Sequence, residues 1–143
     1  MANTFSTEAG KYLNNVPAQM ASGGAHGGRM RRYRATITLA SQADGDTVTL
    51  AKIPAGSFFA YGILSGSVSL GTSTIAIGVS GTAGKYRAAA VHTATTPTFF
   101  GIATEVGNQT PVAIGGETVI LTNTTAALPA SGTLVVDLYY SAP

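Results

Sequence analysis

The run Tyr33-Arg-Ala-Thr-Ile-Thr-Leu-Ala40 decides the fold. Tyr33, Ala35, Ile37 and Leu39 share one side of an extended chain, while Arg34, Thr36 and Thr38 share the other. A period of two marks a strand with one buried face and one face left for solvent or a partner. Downstream the same texture repeats in short runs rich in Thr, Val and Ile, separated by turn residues. Ser41–Gly45 (SQADG) reads as a turn and Asp46–Ile53 as a second strand; Pro54-Ala-Gly56 turns again before Ser57–Leu64. Thr72–Val79, the turn SGTAG (80–84), Lys85–His92, Thr98–Thr104, Glu117–Asn123 and Thr133–Tyr140 complete the set. β-Branched and aromatic residues suit a pleated, half-buried surface, and nothing beyond Tyr33 supports a long amphipathic helix.

About eight short strands in one domain predict an all-β fold, an antiparallel β-sandwich of the jelly-roll kind, with an up-and-down barrel as the alternative. The expected core is Ile37, Leu39, Val48, Leu50, Ile75, Ile77, Val119, Leu121, Leu134, Val136 and Leu138. Phe58-Phe59 and Phe99-Phe100 are adjacent pairs. Alternation turns one ring of each pair outward unless a bulge or sheet curvature buries both. Phe59 and Phe100 are taken as the rings available to a neighbouring subunit.

Upstream of Tyr33 the pattern stops. Residues 1–28 hold one possible helical turn, Ser6–Leu13, capped by Ser6 or Thr7, then Pro17 and glycines at 23, 24, 27 and 28. Such a segment buries little by itself, so it reads as an arm that orders on docking, with residues 29–143 as the β-sandwich domain. Tyr12 and Leu13 are its candidate contact residues. The joint is SGGAHGGRMRRYR (22–34), in which Arg29, Arg31, Arg32 and Arg34 supply half of the eight basic residues.

At 143 residues the chain can bury a core without staples. Only 10% of residues are charged and the net charge is +2, which suits a surface largely covered by neighbours. The absence of cysteine excludes disulfides and thiolate sites. The N-terminus lacks a signal-peptide layout and no apolar run is of membrane-spanning length, so the expectation is a soluble protein made in the cytoplasm, with no membrane partner.

Catalytic and cofactor motifs fail one by one. VSGTAGKY (79–86) lacks the first glycine, the Ser/Thr and the following helix of a phosphate-binding loop, so a Gly-rich hairpin is the better reading. GTSTI (71–75) has Ile75 where a nucleophile elbow needs glycine. His26 and His92, the only histidines, have no evident partners in sequence. Asp44-Gly45-Asp46 is turn chemistry rather than a calcium loop, and Glu105, Glu117 and Asp137 are too scattered for a carboxylate pair. No catalytic residue, cofactor or metal site is expected. The arginines could bind phosphates, but only Tyr33 is interleaved among them, so an acidic protein surface or a solvated strand end is preferred to nucleic acid.

The runs QADGDTVTLAKIPAGSFF (42–59), STIAIGVSGTAGKYRAAA (73–90), TFFGIA (98–103) and LPASGTLVVDLYYS (128–141) resemble small virion proteins of tailed bacteriophages, among them capsid decoration, or cement, proteins encoded near the major capsid protein. The resemblance covers roughly residues 30–141. It implies a non-enzymatic jelly-roll body, a homodimer or homotrimer, on the outer capsid surface of the virion. There it would bridge major capsid protein subunits, with Arg29, Arg31, Arg32, Arg34, Tyr12, Leu13, Phe59 and Phe100 as partner-binding candidates. Two other readings stay open at this point: a tail- or fibre-associated adhesin that binds a host glycan, and a nucleic-acid binder acting through residues 29–34. A carbohydrate-active enzyme is disfavoured by the few carboxylates.

Overall fold

A computed structural model of the chain describes residues 26–107 and 110–142, together with Ser6, Ala9, Lys11 and Gly23. The elements are β1 (Arg29–Thr38), β2 (Thr47–Ile53), β3 (Phe58–Gly66), β4 (Thr74–Val79), β5 (Thr82–Val91), β6 (Thr98–Phe100), α1 (Ala103–Val106), β7 (Glu117–Thr124) and β8 (Thr133–Ala142). They form two four-stranded sheets, ordered β1-β8-β3-β6 and β2-β7-β4-β5. First pairs with last, second with seventh, third with sixth and fourth with fifth, all antiparallel. That nesting, wrapped over into two sheets, is the jelly roll.

The strands form where the period of two predicted them, and the turns close where glycine permits a positive φ. Gly45 (+88°) ends the SQADG turn, and Gly81 (+84°) closes the β4–β5 hairpin inside VSGTAGKY. Inward positions of both sheets meet in one interior. Ile53, Ile75, Ile77, Val119, Leu121, Leu134, Val136, Leu138 and Tyr140 are fully enclosed, with Ile37 and Leu39 beside them. Val48 and Leu50 pack against this cluster only partly buried, because β2 slips register between Thr49 and Ala51. Phe59, Tyr86 and Tyr140 form an aromatic end to the core, with Phe59 4.3 Å from Tyr86 and 5.4 Å from Tyr140 between ring centroids.

Three details differ from the sequence expectation. β1 begins at Arg29 rather than Tyr33, because β8 runs on to Ala142 and gives Met30, Arg31 and Arg32 partners at Ser141, Tyr140 and Tyr139. The strand expected over Thr98–Thr104 stops at Phe100, and Ala103–Val106 winds into a helical turn. Gly101 permits this: a Cβ there would press on Val106. The aromatic pairs also sort differently, as described below. In the expected arm helix, Ala9 and Lys11 are helical and the Ala9 N–H donates to Ser6 Oγ at 3.2 Å, the cap bond foreseen for Ser6. Tyr12 and Leu13 lie outside the described residues.

Candidate functional site

The outward face of the β1-β8-β3-β6 sheet gathers most of the unusual residues. Register fixes which ones. Met30, Arg32, Arg34, Thr36 and Thr38 of β1 stand opposite Ser141, Tyr139, Asp137, Val135 and Thr133 of β8. Across β8, Tyr139 faces Tyr61 and Asp137 faces Ile63 of β3, and Ile63 in turn faces Phe99 of β6. One face therefore carries a cationic side on β1 and an aromatic side on β3 and β6, joined by β8.

On the cationic side, both arginines grip Asp137. Arg32 Nε and Nη2 donate to Oδ1 and Oδ2 at 3.0 and 3.1 Å, and Arg34 Nε and Nη2 to the same oxygens at 2.8 Å each. The carboxylate side chain is 8% exposed, while those of Arg32 and Arg34 are 43% and 55% exposed. Two bidentate guanidiniums fix each other's geometry through one anion, and one positive charge remains over. The acidic neighbour sought for these arginines thus lies, for two of them, in their own chain. Arg29 and Arg31 occupy the alternate positions of β1 and are exposed. On the aromatic side, Tyr61 stacks on Tyr139 (4.6 Å, 19° between planes) and leans towards Phe99 (5.9 Å). Phe99 is 71% exposed.

Phe59 and Phe100, the rings assigned to partner contact from sequence, do not lie on this face. Phe59 is buried in the core. Phe100 sits opposite Gly62, where its ring covers a position that any Cβ would collide with, and packs against the interior. Phe99 is left as the outward ring. Phe58, at an outward register position opposite Ser141, is buried too, and β3 bulges between Phe59 and Tyr61. Alternation alone could not tell which ring of each pair turned out; the cue was Gly62, a glycine inside a strand.

The other face, of β2-β7-β4-β5, is different. Thr47 and Thr49, Thr118 and Thr122, and Thr74 and Thr124 hold its outward register positions, with Lys52 and Ile120 among them. Arg87 of β5 is turned onto backbone: its guanidinium donates to the carbonyls of Ile75, Ala90 (3.1 Å) and Val91 (3.2 Å). Burial pushes its pKa below the ordinary arginine value.

The sequence motifs that suggested chemistry resolve into structure. Ser73 is buried and donates to Asn123 Oδ1, whose amide donates to the carbonyls of Gln42 and Ala43. Asp44 accepts from the Thr125 N–H and Asp46 from the Ala43 N–H, so both carboxylates hold turns. Lys85 lies on β5 and pairs with Glu117 at 2.7 Å. Glu117 also accepts from the Tyr86 hydroxyl and, at 3.4 Å, from Tyr140. Burial and then Glu117 push the Tyr140 phenol far above its ordinary pKa, so it stays a donor. His92 is buried, and burial followed by the Arg87 charge holds its pKa below the ordinary value. Among the described residues, no three His, Cys, Asp or Glu side chains gather closely enough to hold a metal ion, and no helix is long and apolar enough to cross a membrane.

Comparison with known proteins places the fold. No family model and no curated protein matches the sequence. Solved structures do match in shape, among them two from phage capsids. A chain of the cyanophage Pam1 capsid asymmetric unit aligns with a TM-score of 0.65 and 18% identity, over 92% of this chain and 98% of that one. A chain of the capsid of Ralstonia phage GP4 aligns with a TM-score of 0.65 and 20% identity, over 81% and 86%. At these identities the likeness is one of fold.

Proposed function

We propose that this protein is a non-enzymatic virion component that binds the outside of a phage capsid and stabilises it by bridging major capsid protein subunits. The observation that carries the reading is the coincidence of two facts. The whole jelly roll has the shape of chains found in two phage capsids, and one of its two outer faces carries a stacked aromatic row beside an arginine pair. Exposed Phe, Tyr and Arg on a rigid sheet are the residue types enriched at protein interfaces. A ligand that binds only the assembled shell stabilises it by mass action.

In this reading Tyr61, Phe99, Tyr139, Arg32 and Arg34 meet a shell subunit or a second copy of the chain, and Arg29 and Arg31 flank that contact. Residues 1–28 supply an arm that adds contact area. β1 begins at Arg29, so deletion of 1–28 leaves every described strand intact. The truncated protein is expected to fold and to bind capsids more weakly; full affinity would remove the arm from the account. Nucleic acid is disfavoured because Asp137 already neutralises half of the Arg32–Arg34 charge. Micromolar DNA binding at low salt, lost in Arg31→Ala/Arg32→Ala, would reverse that.

A cryo-microscopy map of the purified particle tests the reading. The expected result is density on the outer shell that fits the jelly roll. Density confined to the tail or fibres would instead support an adhesin.

A further inference from the structure

Four strands end a sheet, and three of them carry features that oppose further pairing. β2 and β5 shift register along their length, and β6 is three residues long. β1 has neither feature: its ten residues pair with β8 without a shift, and none of them is proline.

The ladder fixes which backbone groups of β1 stay open. Leu39 N–H donates to Gly132 O at 2.9 Å, continuing the β1–β8 register. Tyr33, Ala35 and Ile37 therefore turn their N–H and C=O groups towards β8, and Met30, Arg32, Arg34 and Thr36 turn theirs away. Beyond Thr36 the edge is closed. The Gln42 side chain donates to Thr38 O at 2.9 Å and accepts from Ala40 N–H at 3.0 Å, the two groups an added strand would take. Among the described residues nothing bonds to the open groups between Met30 and Thr36.

The side chains decide what can add there. Arg29, Arg31, Arg32 and Arg34 line the edge, and Asp137 is the one described carboxylate paired with them. Four guanidiniums against one carboxylate leave three positive charges. On the side of Tyr33 a groove of about 420 Å³ runs from the edge to the end of β2. Its reachable wall is the half-buried Tyr33 with the exposed Lys52, Pro54, Ala55 and Gly115, while Ile53 is enclosed beneath. Ile114, next to Gly115, is fully exposed.

We infer that β1 accepts, as an added strand, an extended segment of a partner protein in which acidic and apolar residues alternate. Residues directly opposite one another share a face of a sheet. Carboxylates opposite Arg32 and Arg34 then meet those guanidiniums, and apolar side chains opposite Tyr33 and Ala35 turn towards the groove. A second copy of β1 is a poor occupant, since pairing about Arg32 or Arg34 sets arginine opposite arginine.

The probe is a blocked peptide of alternating glutamate and valine, long enough to span Met30–Thr36, so its result does not depend on whether capsids bind the outer face. Titrated into the full chain, it is expected to bind saturably, and the matching lysine–valine peptide is not. Amide hydrogen exchange should show period-two protection: Arg32, Arg34 and Thr36 slow on binding, while Tyr33 and Ala35, already bonded to β8, change little. Thr36→Pro removes an open N–H and no β1–β8 bond. It should weaken the glutamate–valine peptide by at least about tenfold, the scale of one or two lost hydrogen bonds. No saturation, binding without the alternate protection, or equal binding by parent and Thr36→Pro overturns the inference. Self-association of the parent that Thr36→Pro abolishes would give the edge to a second copy and overturn it as well.

Discussion

The two sheets share one interior and treat their outer faces in opposite ways. In β1-β8-β3-β6 the cations are displayed: Arg32 and Arg34 stand half-exposed on a single enclosed carboxylate, beside Tyr139, Tyr61 and Phe99. In β2-β7-β4-β5 the cation Arg87 is folded back onto three carbonyls, and threonines hold most outward positions. Both are four-stranded and antiparallel, so the difference resides mainly in the outward residues. It teaches where to look for a partner: on the sheet whose polar groups are fixed yet still exposed, not on the one whose charge is consumed internally.

Substitutions beneath the two faces should not distinguish them. Leu138→Ala under the first sheet and Leu121→Ala under the second each remove a side chain with no solvent exposure. Each is expected to lose about 2–5 kcal/mol in urea unfolding. A loss confined to one of them would show that the sheets do not share a core. The cations should separate. Arg87→Met leaves the part-buried Ile75 carbonyl without its donor, while those of Ala90 and Val91 are open to water, and is expected to cost about 1–2 kcal/mol, with capsid affinity unchanged. Asp137→Asn should cost about 1 kcal/mol, since its guanidinium partners can rehydrate, yet weaken capsid association by loosening both arginines. If Asp137→Asn left association intact, the arginine pair would be structural only.

His92, the residue that follows β5, gives the smallest effect. Its pKa is held below the ordinary 6.5 by burial and by Arg87. The unfolded chain therefore takes up the proton first, and stability is full above about pH 6.5 and falls as pH drops towards the folded value. Melting temperature is expected to decline between about pH 7 and pH 5, and His92→Gln should flatten that decline. An unchanged slope in the variant would assign the acid sensitivity to another group.

Most of the fold was legible because a half-buried strand writes its own period: Tyr33–Leu39 sorted inside from outside correctly, and eight strands followed from eight such runs. What alternation does not encode is register between strands distant in sequence. Asp137 stands 103 residues from Arg34, so the sequence showed four arginines and no hint that an internal carboxylate claims two of them. The aromatic pairs failed for the same reason. Phe100 turns inward because Gly62, a residue of another strand, makes room for it, and Phe59 because β3 and β8 bring it to Tyr140. Tyr61 and Tyr139 were ordinary strand residues until pairing stacked them.

The central claim is that the outward face of β1-β8-β3-β6 meets the shell. It is tested most directly by measuring the affinity of Tyr61→Ser/Phe99→Ser and of Thr49→Ala/Thr118→Ala for capsids of the phage that encodes the chain. Binding at least about tenfold weaker is expected for the first variant, the scale of lost aromatic anchors, and parental binding for the second. Equal binding by the two, or a loss confined to the threonine variant, would contradict it.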